Sequence, residues 1–308
     1  MRVVFLGTPD FAVASAEALA RAGHELLAVV AQPDRPAGRG QALRPPATRS
    51  WAEARGIPVL QPARVRDGAL AAALAPLRPD VLVVTAYGRI LGADLLRLAP
   101  LGAVNVHASL LPRWRGAAPI QWAVAGGDAE TGVTVMQMDE GLDTGDVLLA
   151  RTLEIGPEET AAELAPRLAA LGGEAIAAAL PLLAAGDLVP VRQDPAAVTL
   201  APILSREDGR LRWERPAAEL AARVRGFTPW PGTFTTLAGK ALKVHRARAR
   251  SGGPAAPGEG RLEGGALLVG CGGGTALELL EVQPEGRRRM AARDLANGLG
   301  RTGLWFGR

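Results

Sequence analysis

Over the first 140 residues, short apolar runs rich in Val, Leu and Ala alternate with segments of helical periodicity. That alternation is the pattern of a parallel sheet wrapped by helices. Strands are expected at residues 2–6, 26–31, 58–61, 80–85, 103–108 and 133–138, and helices at 11–21, 48–55, 69–77 and 117–125. Runs such as DVLVVTA lack polar alternation, as strands buried on both faces do. The expected class is α/β, with an N-terminal doubly wound, mostly parallel, Rossmann-like sheet. In such open sheets ligands bind beyond the carboxyl ends of the strands, so function is sought in the loops that follow them.

A long helical pattern at 159–184 precedes a stretch at 186–202 with three prolines and little periodicity, which reads as a linker. A short helix at 215–227 follows, then short strands at 233–237, 242–249, 260–262, 267–269 and 276–282, and a last helix at 291–299. Five short strands in about 100 residues suggest a small barrel of oligonucleotide-binding type. The expected division is 1–189 for the catalytic domain, 190–205 for the linker and 206–308 for the barrel. Charge follows it. Residues 1–190 hold 16 Arg and Lys against 20 Asp and Glu, whereas residues 191–308 hold 19 against 11. A basic module beside a mildly acidic one points to a nucleic-acid-facing surface next to a small-molecule site, although a solvated basic face alone would look the same.

One cysteine, Cys271, excludes internal disulfides and thiolate metal cages. The apolar run 175–185 is broken by Pro181 and short of the roughly 20 residues a membrane span needs. Met1 leads straight into an apolar strand with no signal-peptide pattern, so a cytoplasmic protein without membrane attachment is expected.

Chemistry concentrates in three motifs. The first strand ends in FLGTPDFA, where Gly7 stands alone instead of in the spaced glycine set of a dinucleotide site, so NAD binding is disfavoured. Asn105 and His107, two apart at a strand end, leave the same face of the sheet. An amide and an imidazole placed there can stabilise the oxygen of a carbonyl under attack; a histidine that merely packs at a strand end is the plainer alternative. The loop MDEGLDTGDVL carries Asp139, Glu140, Asp143 and Asp146 without the ligand spacing of a calcium loop. A carboxylate from this second strand end can steer a histidine and manage a proton.

The segments GTPDFA, QPDRPAGRG, NVHASLLPRWRGAAPIQWA, MDEGLDTGD and PWPGTF occur in this order along nearly the whole chain. Together they resemble the methionyl-tRNA formyltransferase family. The resemblance implies a catalytic set of Asn105, His107 and Asp143 and a folate-binding stretch of Ser109, Leu110, Leu111 and Pro112. It also implies a tRNA-gripping loop, QPDRPAGRGQALRPPATR, whose arginines are Arg35, Arg39, Arg44 and Arg49. Arg35, Arg39 and Arg44 are the expected tRNA contacts, Arg39 foremost. Gln41 stands where the family often has lysine, which removes one phosphate contact and leaves the chemistry intact.

The implied reaction moves the formyl group of 10-formyltetrahydrofolate, a co-substrate and not a tightly bound cofactor, to the α-amine of initiator methionyl-tRNA. No metal is implied, and a monomer is expected. Two other readings share the fold: formyl transfer to an amino sugar nucleotide, and an RNA-binding protein without catalysis. The basic loop and C-terminal charge weigh against the first, and the intact Asn, His and Asp set against the second.

Overall fold

The apolar runs form the strands of a mixed seven-stranded sheet. In chain order the strands of the N-terminal part are β1 (Arg2–Gly7), β2 (Glu25–Val30), β3 (Arg35–Ala37), β4 (Ala42–Arg44), β5 (Val59–Leu60), β6 (Val81–Thr85), β7 (Ala103–His107), β8 (Arg115–Gly116), β9 (Glu130–Gln137), β10 (Val147–Glu154) and β11 (Leu200–Ala201). The sheet order is β10-β9-β7-β6-β1-β2-β5, with the β7–β9 and β9–β10 pairs antiparallel and the others parallel. Val3 to Leu6 and Val81 to Val83 are completely buried, which is why these runs lack alternation. The computed structural model describes residues 1–37, 42–254, 256–297 and 304–307, in two compact units. The first comprises Met1–Pro119, Glu130–Glu154 and Ala165–Pro202, and the second Ile120–Ala129, Ile155–Leu164 and Ile203–Arg308.

The helix Ala161–Ala185 runs through Pro166 and Pro181, so the apolar segment is longer than Pro181 suggested in the sequence. By length and composition it is sufficient to cross a membrane. Its Leu164, Leu168, Ile176 and Leu180 are fully buried within the protein, at the spacing of one helical stripe. Each such burial is worth about 1.5–3 kcal/mol. Two glycines let the helix lie close: a Cβ on Gly172 would meet Val106 of β7 at 3.0 Å, and one on Gly173 the Ala14 carbonyl oxygen at 2.9 Å.

Stretch 186–202 does more than connect. Val191 exchanges backbone hydrogen bonds with Val147 at 2.8 and 2.9 Å, and β11 pairs in parallel with β8. Residues 165–202 belong to the first unit. The pairing segments are one or two residues long, too short to leave a periodic signal.

In the second unit β12 (Thr233–Leu237), β13 (Lys240–Ser251), β14 (Glu259–Glu263), β15 (Ala266–Gly270), β16 (Thr275–Pro284), β17 (Met290–Ala291) and β18 (Leu304–Trp305) form an antiparallel sheet ordered β12-β13-β16-β15-β14-β18, with β17 also on β16. The sheet curls until its edges meet. Leu237 bridges Phe306, and Gly307 N–H donates to the Thr236 carbonyl at 3.0 Å. This contact ties the two edges of the half-barrel together at one point. Helix Ala217–Gly226 covers the core through Leu220, Ala221 and Val224, against Leu242, Leu277 and Leu279. The half-barrel agrees with the expected oligonucleotide-binding type, and its helix Ala292–Asn297 falls inside the expected 291–299.

Burial of Cys271 pushes its thiol up to about 12, so it is an inert core residue. Desolvation also holds the His24 and His245 imidazoles below the ordinary value of 6.5. The unfolded chain then binds protons that the folded one resists. Stability is therefore complete above about pH 6.5 and is lost as pH falls through the lowered folded values. The urea midpoint should drop on acidification from pH 7, and the double variant His24→Gln, His245→Gln should flatten that slope between pH 7 and 5.5. An unchanged slope would assign the acid lability elsewhere.

Candidate active site

Strand β7 delivers Asn105 and His107 to the carboxyl edge of the sheet. The loop between β9 and β10 folds back to meet them with Asp143. The Asn105 amide nitrogen lies 3.5 Å from Asp143 Oδ1, and His107 Nδ1 lies 3.6 Å from Asp143 Oδ2. Gly116 N–H donates to the same Oδ2 at 2.9 Å. The His107 and Asp143 side chains are only 6% and 14% exposed, which strengthens every interaction between them.

His107 Nε2 sits 3.0 Å from the carbonyl oxygen of Trp114. A carbonyl accepts only, so Nε2 carries a proton and Nδ1 is the nitrogen turned to Asp143. A second proton at Nδ1 would give an imidazolium with both N–H groups partnered, one by a carbonyl and one by a carboxylate.

The loop is built to present Asp143. Its φ of 53° is left-handed, which a non-glycine residue holds only where the surroundings demand it. Asp139 Oδ1 accepts from Gly141 N–H at 3.0 Å and from the Thr144 hydroxyl at 2.6 Å, closing the turn. At Gly145 any Cβ would collide with the Gln137 carbonyl. Of the loop carboxylates, Asp139 is thus structural, Glu140 forms an exposed ion pair with Arg97 at 3.4 Å, and Asp143 lies beside Asn105 and His107.

Ser109 to Pro112 form the turn after β7. Ser109 is completely buried, and its hydroxyl donates to the Arg113 carbonyl at 2.6 Å. Thr134 ties the turn to β9, donating to the Ser109 carbonyl at 2.7 Å and accepting from Leu111 N–H at 3.1 Å. Ser109 is therefore an anchor of the turn, while Leu110, Leu111 and Pro112 are half-buried and accessible.

Further along the carboxyl edge, Thr8, Pro9, Gln32, Pro33, Arg35, Arg44, Pro45, Pro46 and Ala86 line a cavity of about 310 Å³. Residues Thr8, Gln32 and Tyr87 were not singled out in the sequence, yet they knit this edge together. Thr8 and Gln32 both donate to the Tyr87 carbonyl, at 3.1 and 2.7 Å. The signal available was the TAYG turn, where Ala86 and Gly88 both take positive φ directly after a strand. Arg35 and Arg44 face each other across the β3–β4 hairpin and are exposed. Arg39 lies outside the described residues. Arg49 is committed elsewhere, to both oxygens of Asp34 at 3.0 and 2.9 Å and to Glu53 at 2.7 Å. Hydrogen bonding from Gln61 and then from Arg49 holds the Asp34 carboxyl below its usual range.

A family model described as formyl transferase matches residues 1–180, and one described as formyl transferase, C-terminal domain, matches 203–300. The chain is 68% identical over 305 residues to the methionyl-tRNA formyltransferase of Anaeromyxobacter dehalogenans strain 2CP-1, covering 98% of each. The chain belongs to the methionyl-tRNA formyltransferase family. Identity to the methionyl-tRNA formyltransferase of Myxococcus xanthus is 55% over 298 residues, covering 96% of this chain and 95% of the relative. An N-formyltransferase from Helicobacter canadensis, solved with folinic acid and dTDP-3-aminofucose, superposes with a TM-score of 0.68 at 15% identity, over 92% of this chain and 98% of that one. At that identity the likeness shows a shared fold, in which both the Rossmann-like sheet and the C-terminal half-barrel take part.

Proposed function

We propose that this methionyl-tRNA formyltransferase family member transfers the formyl group of 10-formyltetrahydrofolate to the α-amine of initiator methionyl-tRNA, with Asn105, His107 and Asp143 as its catalytic residues. The observation that carries the reading is their convergence on one spot at the sheet edge, in a chain 68% identical end to end to a methionyl-tRNA formyltransferase. The neutral amine attacks the formyl carbon, and the carbonyl pair moves onto oxygen. The Asn105 amide, only loosely held by Asp143 at 3.5 Å, donates to that oxyanion. Because Nε2–H is spent on the Trp114 carbonyl, Nδ1 together with Asp143 receives the proton the amine releases. Collapse of the tetrahedral intermediate re-forms the carbonyl and breaks the bond to folate N10, which takes the proton back from His107. The folate is a diffusible co-substrate gripped beside Leu110, Leu111 and Pro112, and the enzyme works as a cytoplasmic monomer.

Arg35 and Arg44 are proposed as phosphate contacts for the tRNA. Two like charges at directly paired positions of a hairpin are mutually unfavourable, and a bound phosphate turns that repulsion into attraction. This cationic hairpin favours tRNA over an amino sugar nucleotide as acceptor. Arg39, between these two arginines in the sequence, keeps its proposed role as a tRNA contact. The double variant Arg35→Ala, Arg44→Ala should raise KM for methionyl-tRNA about tenfold, the scale of losing two solvent-exposed ion pairs of about 0.2–1 kcal/mol each. KM for 10-formyltetrahydrofolate should stay within about twofold. The opposite pattern would assign the hairpin to the folate.

A further inference from the structure

The stretch 190–202 has no part in the reaction as drawn so far, yet it carries a buried amide aimed at the catalytic loop. Gln193 is 7% exposed. Its Nε2 donates to the Asp143 carbonyl at 2.9 Å and to the Gly145 carbonyl at 2.7 Å. Its Oε1 accepts from Arg115 twice, from Nε at 2.9 Å and from a terminal guanidinium nitrogen at 2.7 Å. All of the amide's hydrogen-bonding capacity is used, with nothing left for solvent.

The connections run in a ring. Arg115 precedes Gly116, whose N–H holds Asp143 Oδ2, and follows Trp114, whose carbonyl holds His107 Nε2. The stretch itself is pinned at both ends: Val191 bonds to Val147 beyond the loop, and Thr199 accepts from Arg115 N–H at 2.9 Å and from Trp114 N–H at 2.8 Å. A Cβ on Gly116 would come within 2.5 Å of the Ala201 carbonyl, so the strap lies directly on the strand that carries these contacts.

We infer that Gln193 is a positioning residue for formyl transfer, one that clamps the left-handed Asp143 backbone to Arg115 and so sets the distance between the Asp143 carboxylate and His107. The inference rests on the catalytic reading above. Asp143 at φ 53° sits in a sparsely populated conformation that only over-determined surroundings maintain. Gln193 reaches the carbonyls of Asp143 itself and of Gly145, two residues on. The separation at stake, 3.6 Å between Nδ1 and Oδ2, lies just beyond hydrogen-bond range and closes into a bond only once Nδ1 takes up a proton, so a small further displacement keeps that bond from forming.

The test uses full-length Gln193→Glu and Gln193→Met. Glutamate keeps the acceptor for Arg115 and loses both donations to the loop; methionine keeps the volume and loses all four bonds. Either should lower kcat about 100-fold, the effect of a displacement on the order of 1 Å at reacting groups, with KM for both substrates within about threefold. Gln193→Glu is read alone if Gln193→Met does not fold. The chain has three histidines, so the ring nitrogen shifts of His107 can be followed without substrate. They should move in both variants while those of His24 and His245 stay in place. A kcat within twofold of the parent, or unmoved His107 shifts, overturns the clamp, as does a joint change in kcat, both KM values and all three histidines. If the parent chain transfers no formyl group, the catalytic reading fails, and the His107 shifts alone then decide whether Gln193 positions the ring.

Discussion

Single-turnover formyl transfer should fall about 100- to 1,000-fold in Asn105→Ala, the usual consequence of removing one oxyanion donor, and by a similar 10²- to 10⁴-fold in His107→Ala and Asp143→Asn, which remove the proton acceptor. Binding of methionyl-tRNA should stay within about twofold in all three, because the changes touch charge that exists only during the reaction. Asp143→Asn is the sharpest of them. The amide keeps the shape of the carboxylate, and one oxygen can still accept from Gly116, so the loop stays folded while the charge beside His107 Nδ1 is lost. Rates from rapid quench and affinities from filter binding would be compared for each variant. Near-parental turnover of His107→Ala would remove the imidazole from the mechanism.

Salt dependence of tRNA binding should become shallower by about three in the slope of log K against log salt when Arg246, Arg248, Arg287 and Arg288 are all replaced by glutamine. Each phosphate contact contributes roughly 0.7–0.9 to that slope through released counterions. Strand β13 alternates Leu242, Val244 and Ala247 inward with Lys243, Arg246 and Arg248 outward, so one face of the half-barrel is cationic. Other arginines of this module are partly neutralised: Arg250 pairs with Glu278 at 2.7 Å and Arg289 with Glu281 at 3.9 Å. The four chosen residues are exposed, so folding should be unaffected. Titrations between 50 and 300 mM salt would give the slopes. Equal slopes for parent and variant would show that this face does not meet the tRNA.

The strands of the parallel sheet were legible because burial on both faces leaves an unbroken apolar run, and 81–85 is the clearest case. Strand β10 was missed for the converse reason. It is an edge strand whose Arg151, Thr152 and Glu154 meet solvent, so its composition resembles a loop. The β3–β4 hairpin has three residues a side and a proline at 36, which masks a strand signal.

At the site, the i and i+2 spacing of Asn105 and His107 follows from strand geometry alone, whereas Asp143 joined them only through family resemblance. Periodicity carries no information about a loop that folds back onto a strand. Charge counting placed Arg49 in the same basic loop without expecting it at the tRNA, and its guanidinium is spent on Asp34 and Glu53. Gln193 was hidden most completely, since a single buried amide in a proline-rich stretch has no sequence signature. A cut at residue 189 would therefore remove Gln193 and its bonds to the Asp143 and Gly145 carbonyls. It would also remove Phe227, which packs edge-on against Trp122 within the second unit, their ring centroids 5.4 Å apart.

The most direct test is to follow a labelled formyl group. The full-length chain would be mixed with 10-formyltetrahydrofolate labelled in the formyl carbon and, separately, with methionyl-tRNA or a dTDP-amino sugar. Transfer to methionyl-tRNA, with the label released as formylmethionine on deacylation and no transfer to the sugar, is the predicted result. Label on the sugar nucleotide, or on neither acceptor while the folate is bound, would contradict it.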